Sequence, residues 1–218
     1  RNINQLPKND LLIKVLYSSL NFKDALSMIG NKGVTKNYPH TPGIDAVGIV
    51  VSSKKFPKGS IVIVSGYDLG MNTPGGFGEY IRVPSFWACH LPKNLTAKES
   101  MAIGTAGLTA GLCIKKLKKL NGINGKNAVV TGATGGVGSF AIKLLKLLGA
   151  KVTAITTKLN EEGFLKMIGA DEIKSKKDFI NSVRKPLGEW IWYIAIDTVG
   201  GNILSNLIPS MKYGGVIT

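Results

Sequence analysis

The sequence predicts an α/β chain in two parts: a β-rich first domain over residues 1–98 and a doubly wound parallel sheet over residues 99–218. Three observations predict it. Before residue 100, short strand-like runs alternate with Gly/Pro turns. After it, apolar strands alternate with segments of helical pattern. Within that second part, one strand runs into a glycine-rich turn that opens an amphipathic helix. Short strands with frequent turn signals suit a small barrel-like β domain. Strand–helix alternation suits a parallel sheet, whose neighbouring strands need crossover connections.

In chain order, the first strand-like runs are Leu11–Tyr17, Ala46–Val51, Ser60–Val64 and Gly78–Pro84. Pro42-Gly43, Pro57 to Gly59 and Pro74-Gly75-Gly76 punctuate them. Glu99–Leu120 is helical in pattern. Ala128–Thr131 is a short apolar strand, and Val137–Leu148 carries apolar residues at helical spacing. Val152–Thr156, a short run near residue 172, Ile191–Ile196 and Val216–Thr218 supply further strands. That makes five of the six strands usual in a doubly wound dinucleotide fold, with the last one cut short. Further C-terminal structure beyond residue 218 is therefore expected, and residue 1 is not Met.

Composition narrows the class. Hydrophobic residues make up 44% and charged residues 19%, which fits a globular chain and not a disordered one. No apolar run approaches the roughly 18 residues of a membrane span. Arg1 to Asp10 lacks the apolar segment of a secretory signal. With two cysteines and no disulfide framework, the composition suits a reducing cytoplasm, so a cytoplasmic protein is expected. Cys89, Cys113, His40 and His90 are the only residues of their types, and none has zinc-site spacing, so no metal is expected. Cys89 and His90 are sequence neighbours, and neighbours along a strand point to opposite faces, which makes them a poor catalytic pair. The formal charge of +15 invites an anionic partner, either nucleic acid or a phosphate-rich small molecule. The lysines are scattered, however, and the densest group, Lys115-Lys116 with Lys118-Lys119, reads as a last helical turn. With no aromatic-and-basic ribbon, neither nucleic acid nor membrane is the expected partner. A homodimer is compatible with the sequence.

The strongest motif is Asn127-Ala128-Val129-Val130-Thr131-Gly132-Ala133-Thr134-Gly135-Gly136-Val137-Gly138. Its glycines follow the spacing Gly132-x-x-Gly135-x-x-Gly138. Such a turn needs backbone shapes that side chains obstruct. Gly135 and Gly136 would let the backbone approach a pyrophosphate, with Thr134 and Val137 beside them, and Gly138 would let helix and strand pack closely. The helix start then offers free N–H groups to the phosphates. The alternative is a tight strand–helix turn that holds no ligand. The next strand ends Ala154-Ile155-Thr156-Thr157-Lys158, with no acid to bind a ribose 2′-hydroxyl. Two hydroxyls and a cation suit a 2′-phosphate, which favours NADP(H); Lys176, after the third strand, is a further cation for it. Lys158 and Lys176 also read as ordinary exposed lysines.

Four further segments carry a family resemblance. Ser18-Ser19-Leu20-Asn21-Phe22-Lys23-Asp24-Ala25-Leu26 resembles the opening active-site segment of the acrylyl-CoA reductases, where Tyr commonly stands at the position of Phe22. Pro42-Gly43-Ile44-Asp45-Ala46-Val47-Gly48 is similar to the P-G-x-D-x-x-G stretch of the medium-chain dehydrogenase/reductase superfamily. Gly104-Thr105-Ala106-Gly107-Leu108-Thr109-Ala110 resembles its domain-joining helix, and Asp197-Thr198-Val199-Gly200 the close of its fourth nucleotide-domain strand. The resemblance implies a GroES-like catalytic domain followed by a Rossmann domain. It implies a zinc-free, quinone oxidoreductase-like enzyme, because Asn21 and the neighbourhood of Asp45 stand where zinc enzymes of the superfamily place metal ligands. It implies NADPH-dependent reduction of an α,β-unsaturated acyl thioester, acryloyl-CoA to propanoyl-CoA. Quinone or enone reduction is the rival, and a non-catalytic NADPH- and nucleic-acid-binding protein is the second.

For such chemistry the expected catalytic residues are Asn21, Lys23 and Asp24, with Asn21 offering an amide hydrogen to the substrate or nicotinamide. Asn21 also suits a helix N-cap, and Asp24 a first helical turn. By the same resemblance Phe22 lies against the cofactor and Thr109 contacts its nicotinamide end. Phe22 has no hydroxyl to donate, and Tyr38 is another candidate donor.

Overall fold

The computed structural model describes residues 2–120, 122–182 and 190–218. The chain divides into two compact units, Arg1–Thr105 and Ala106–Thr218.

The first unit is built on five antiparallel strands: β1 (Leu11–Ser18), β2 (Asp45–Ser52), β3 (Ile61–Ser65), β4 (Tyr80–Val83) and β5 (Ala88–His90). They lie in the order β4-β1-β2-β3-β5. Leu11, Ile13, Val62, Val64, Ile81 and Val83 form its buried core, each two residues from a partner on its own strand, as a one-sided apolar face requires. β1 and β2 run unusually close at Gly48, where a Cβ would sit 2.2 Å from the Lys14 carbonyl oxygen. A short helix, α1 (Phe22–Met28), leaves the end of β1. β5 was not predicted; at three residues it is too short to carry a period. Its Cys89 and His90 are strand neighbours, and the His90 ring packs edge-on against Phe56 at 4.9 Å between centroids.

Helix α2 (Ala97–Leu120) begins in the first unit and is broken at Gly104, whose φ of 48° and ψ of −158° are not helical. After it come β6 (Asn127–Thr131), α3 (Gly136–Leu147), β7 (Lys151–Thr156), α4 (Glu162–Met167), β8 (Glu172–Ser175), α5 (Lys176–Ser182), β9 (Trp192–Ile196), α6 (Gly201–Leu207) and β10 (Met211–Ile217). All strand pairs of this second unit are parallel, in the order β10-β9-β6-β7-β8. The first strand is central, and strand order reverses between β6 and β9, as in a doubly wound dinucleotide fold. Ala128, Val130, Val152, Ala154, Ile194 and Ile196 face one side of the sheet, packed against Ala141, Ile142 and Leu145 of α3. β10 starts five residues before the apolar run that suggested it, because Gly214 and Gly215 interrupt the pattern, and its register to β9 shifts there. α5 arises from a lysine-rich run that reads as solvated surface; Ser175 caps it, accepting from the Asp178 N–H at 3.0 Å. Among the described residues, no helix is long and apolar enough to cross a membrane.

Candidate active site

In the second unit the candidate residues gather at the carboxyl ends of the parallel strands, the edge where open α/β sheets bind ligands. β6 ends at Thr131 and the chain turns at Gly132 with φ +58°. A Cβ on Gly132 would sit 2.3 Å from Thr198 Oγ1, and one on Gly138 would sit 2.3 Å from the Gly132 carbonyl oxygen. Both glycines are thus required by close approach. Gly135 and Gly136 are exposed, with Thr134 and Val137 half-buried beside them, at the head of the twelve-residue α3. The first N–H groups of a helix have no intrahelical acceptor, so this loop presents donors and a positive dipole end.

The reversal point between β6 and β9 is locked. The Thr131 hydroxyl donates to Asp197 Oδ1 and accepts from the Thr198 N–H at 3.1 Å, while the Thr198 hydroxyl donates to the Thr131 carbonyl at 3.0 Å. Asp197 Oδ2 accepts from the Gly200 N–H at 2.9 Å. These bonds fix the chain where the strand order reverses, beside the glycine loop.

At the end of β7, Thr156 is buried and its hydroxyl accepts from the Lys158 N–H at 2.9 Å. Thr156 therefore shapes the turn, while Thr157 and Lys158 project into solvent. β8 is the next strand, with Ser175 in register with Thr156, so Lys176 opens α5 beside the same strand end. Thr109 is exposed on α2.

The candidate residues of the first unit surround Asp45, the first residue of β2, which has no exposed surface. Its Oδ2 accepts from the Ser19 hydroxyl at 2.5 Å, from Asn21 Nδ2 at 3.0 Å and from the Thr105 N–H at 2.8 Å. Its Oδ1 accepts from the Ser65 hydroxyl and from the Thr105 hydroxyl, the latter at 2.7 Å. Burial pushes this carboxyl up, but the bonds from Ser19, Ser65 and Thr105 outweigh it and hold Asp45 below the ordinary carboxylate value. Gly104 is the close neighbour of the cluster: a Cβ there would lie 2.9 Å from Ser19 Oγ.

This geometry gives the three expected catalytic residues different surroundings. Asn21 directs its amide nitrogen inward, to Asp45 and to Ser19 Oγ at 2.9 Å. Asp24, 1% exposed, accepts from the Asn21 N–H at 2.8 Å and from the Gly43 and Ile44 N–H groups, each at 3.0 Å. It braces the start of α1 against the loop before β2. Lys23 is exposed and makes no ion pair among the described residues. Phe22 is 79% exposed. Tyr38 donates its hydroxyl to the Ser27 carbonyl at 2.5 Å. Sequence reasoning singled out Asp45 only as part of a motif and did not select Ser19, Ser65 or Thr105. Its one available signal was the Asp of the P-G-x-D stretch, an acid at the head of an otherwise apolar strand.

Comparison with known proteins agrees with both units. Residues 7–93 match the alcohol dehydrogenase GroES-like domain, and residues 136–218 match the domain described as zinc-binding dehydrogenase. Residues 136–218 themselves contain neither Cys nor His. An oxidoreductase of Salmonella enterica, YhdH, solved in complex with NADP, superposes with a TM-score of 0.94 at 40% identity, over 100% of this chain and 67% of its own. The chain belongs to the quinone oxidoreductase-like branch of the medium-chain dehydrogenase/reductase family. Within that family, the putative quinone oxidoreductase YhfP of Bacillus subtilis is 42% identical over 97% of this chain and 65% of its own length. A structure of YhfP with NAD bound superposes with a TM-score of 0.93 at 40% identity, over 100% of this chain and 67% of its own. The probable acrylyl-CoA reductase AcuI of Escherichia coli is 39% identical over 98% of this chain and 66% of its own length. The chain thus spans about two thirds of the length of these two curated relatives.

Proposed function

We propose that this protein is an NADPH-dependent reductase that saturates the carbon–carbon double bond of an α,β-unsaturated acyl thioester, with acryloyl-CoA, giving propanoyl-CoA, as the first substrate to test. The observation that carries the reaction class is the 39% identity, over 98% of the chain, to a relative named as an acrylyl-CoA reductase. The cofactor choice is supported by this chain's own residues. The glycine loop leaves room where side chains would obstruct, and Thr157, Lys158 and Lys176 offer hydroxyl and cation in place of the acid that NAD sites use.

NADPH, when bound, supplies the hydride that the β-carbon receives. The chain's residues bind and orient. The backbone at Gly135, Gly136 and Val137, with Thr134, holds the pyrophosphate at the head of α3. Thr157, Lys158 and Lys176 hold the 2′-phosphate, with Thr156 fixing the turn that presents Lys158. By the family resemblance, Phe22 and Thr109 are each proposed as a contact of the cofactor. As the β-carbon is reduced, negative charge develops on the thioester oxygen, and Lys23 is the exposed cation of the Asn21–Asp24 segment able to answer it. A proton at the α-carbon completes the saturation. Asn21 and Asp24 keep this segment in place through Asp45 and the Gly43–Ile44 amides.

A second reading, quinone reduction, is favoured by the 42% identity to YhfP. Cofactor-consumption assays with NADPH and NADH, each against acryloyl-CoA, crotonoyl-CoA and a benzoquinone, separate the readings. Fastest turnover with NADPH and acryloyl-CoA supports the first. Fastest turnover with the quinone supports the second, and efficient use of NADH overturns the assignment of the Thr157–Lys158 turn.

A further inference from the structure

In the second unit, β6 and β9 pair as far as Val130 and Ile196. There the connections part, because β7 lies on one side of β6 and β9 on the other. Past that point side chains take over from the sheet. All three bonds that join the strand ends involve Thr131, which is wholly buried. Its hydroxyl donates to Asp197 and accepts from the Thr198 N–H, and its carbonyl accepts from the Thr198 hydroxyl. Asp197 in turn holds the Gly200 N–H at 2.9 Å. This clasp runs straight into the glycine turn. Gly132 follows Thr131, and Thr198 Oγ1 lies so close that a Cβ on Gly132 would meet it at 2.3 Å. On the other flank the Ala133 N–H donates to the Ile155 carbonyl of β7 at 3.2 Å. The turn is therefore tied to β7 by backbone and to β9 by side chains, and only the second tie depends on which residues stand there.

We propose that Thr131, acting with Asp197 and Thr198, is a positioning residue for the dinucleotide: it holds the turn from Gly132 to Gly136 in the conformation that receives the pyrophosphate, and so sets cofactor affinity without touching the cofactor. This rests on the assignment of the glycine loop to the pyrophosphate given above. Three glycines give the turn a wide choice of backbone conformations. Its N–H groups act together on one anion only if the turn is ordered, and ordering it during binding costs affinity. The clasp does that ordering beforehand. Without it, apparent affinity falls by the fraction of molecules that still hold the competent turn, so a fraction of about one tenth weakens binding about tenfold. NADPH and NADH share the pyrophosphate. Both should weaken alike, and the preference between them, assigned to Thr157, Lys158 and Lys176, should stay as it is.

The test reads binding and not turnover. Dissociation constants for NADPH and NADH are measured by fluorescence titration on the full-length wild type, Thr131→Val, Thr131→Ser and Asp171→Ala, with a urea melt of each. Thr131→Val keeps the shape and removes the hydroxyl, whereas Thr131→Ser keeps the hydroxyl. Asp171 is the control for general destabilisation: it accepts from the Val152 N–H at 2.8 Å and pairs with Lys146, near the start of β7 and away from the turn. Thr131→Val is expected to bind both nucleotides about tenfold more weakly, with their ratio within about twofold of wild type. Thr131→Ser and Asp171→Ala are expected to stay within about twofold of wild type for each nucleotide. A folded Thr131→Val protein with wild-type constants overturns the proposal and leaves the cofactor assignment standing. An equal loss in Asp171→Ala overturns it as well, because affinity then follows overall stability. So does a loss that the Thr131→Ser hydroxyl fails to restore, or one confined to NADPH. A wild type that binds neither nucleotide sinks the cofactor assignment and this proposal with it. Should Thr131→Val fail to fold, Thr198→Val, which removes one bond of the clasp at an exposed residue, is read by the same outcomes.

Discussion

Asn21→Ala discriminates between an amide that touches substrate and one that holds the pocket together. The substitution deletes two bonds from Nδ2, to Asp45 Oδ2 at 3.0 Å and to Ser19 Oγ at 2.9 Å. Asp45 keeps the three hydroxyls and the Thr105 N–H, so it stays ionised and paired. A hydrogen bond to a charged group contributes about 1.5–3 kcal/mol, and water replaces part of that at a half-buried site, leaving a loss of about 1–2 kcal/mol. That corresponds to a melting shift of roughly 2–8 °C. Loss of an oxyanion donor would instead cost about 10²–10³ in turnover. Because both amide contacts point inward, turnover in Asn21→Ala is expected to fall by less than about tenfold, with NADPH affinity little changed. Calorimetric melting, NADPH titration and steady-state acryloyl-CoA reduction measure the three quantities on one preparation. Asn21→Ser, too short to reach as far, serves as the second variant. If both variants melt like wild type, bind NADPH and lose turnover 100-fold or more, the amide swings out to the substrate and the reasoning fails.

Other outcomes follow from the same geometry. Thr157→Asp/Lys158→Ala should weaken NADPH by tenfold or more and favour NADH, since an acid repels a 2′-phosphate and accepts from a free 2′-hydroxyl; an unchanged preference in steady-state assays contradicts the placement. Gly138→Ala drives a Cβ to 2.3 Å from the Gly132 carbonyl, so it should cost about 1–3 kcal/mol and disrupt the phosphate loop, whereas Gly111→Ala, with nothing within 4 Å, should be neutral or slightly stabilising; urea melts compare them. Asp24→Ala strips a carboxylate from three backbone N–H groups and should cost about 3 kcal/mol or more, with Asp24→Asn losing less because one acceptor oxygen survives; equal stability of the two in denaturant titrations would show that the brace is not what holds α1. The folded Asp45 carboxyl lies below its unfolded value of about 3.9, so its stabilisation is present above that pH and is lost as the pH falls through the lowered folded value. Asp45→Asn should therefore flatten the stability profile below about pH 4, and identical acid limbs for variant and wild type would contradict the network.

Local sequence determined much of this protein. The apolar strand, the Gly132-x-x-Gly135-x-x-Gly138 spacing and the helical period after it lie within one continuous stretch. Turn geometry and periodicity act over a few residues, so the glycine-rich turn and the strand–helix alternation were legible before any contact was known. Elements without such a local signal were not. β5 has three residues, and β10 is interrupted by Gly214 and Gly215, so neither carries a full period.

The tertiary structure decided what the polar residues do. Asp24 reads from sequence as an acid in a first helical turn; only folding brings it to the Gly43 and Ile44 amides, about twenty residues on. Thr156 reads as a phosphate contact, and the fold instead buries it and turns its hydroxyl to the Lys158 amide. The Thr131–Asp197 lock joins residues 66 apart, and Asp45 gathers donors from residues as far as Thr105, 60 positions away. Hydrogen bonds across such separations leave no period in the sequence, because the strand order β10-β9-β6-β7-β8 and the pairing of β2 with β3 are set by packing many residues at once. The sequence by itself thus marked which residues are candidates to serve a dinucleotide, and the fold decided which of the polar groups stay exposed and which hold a buried carboxylate.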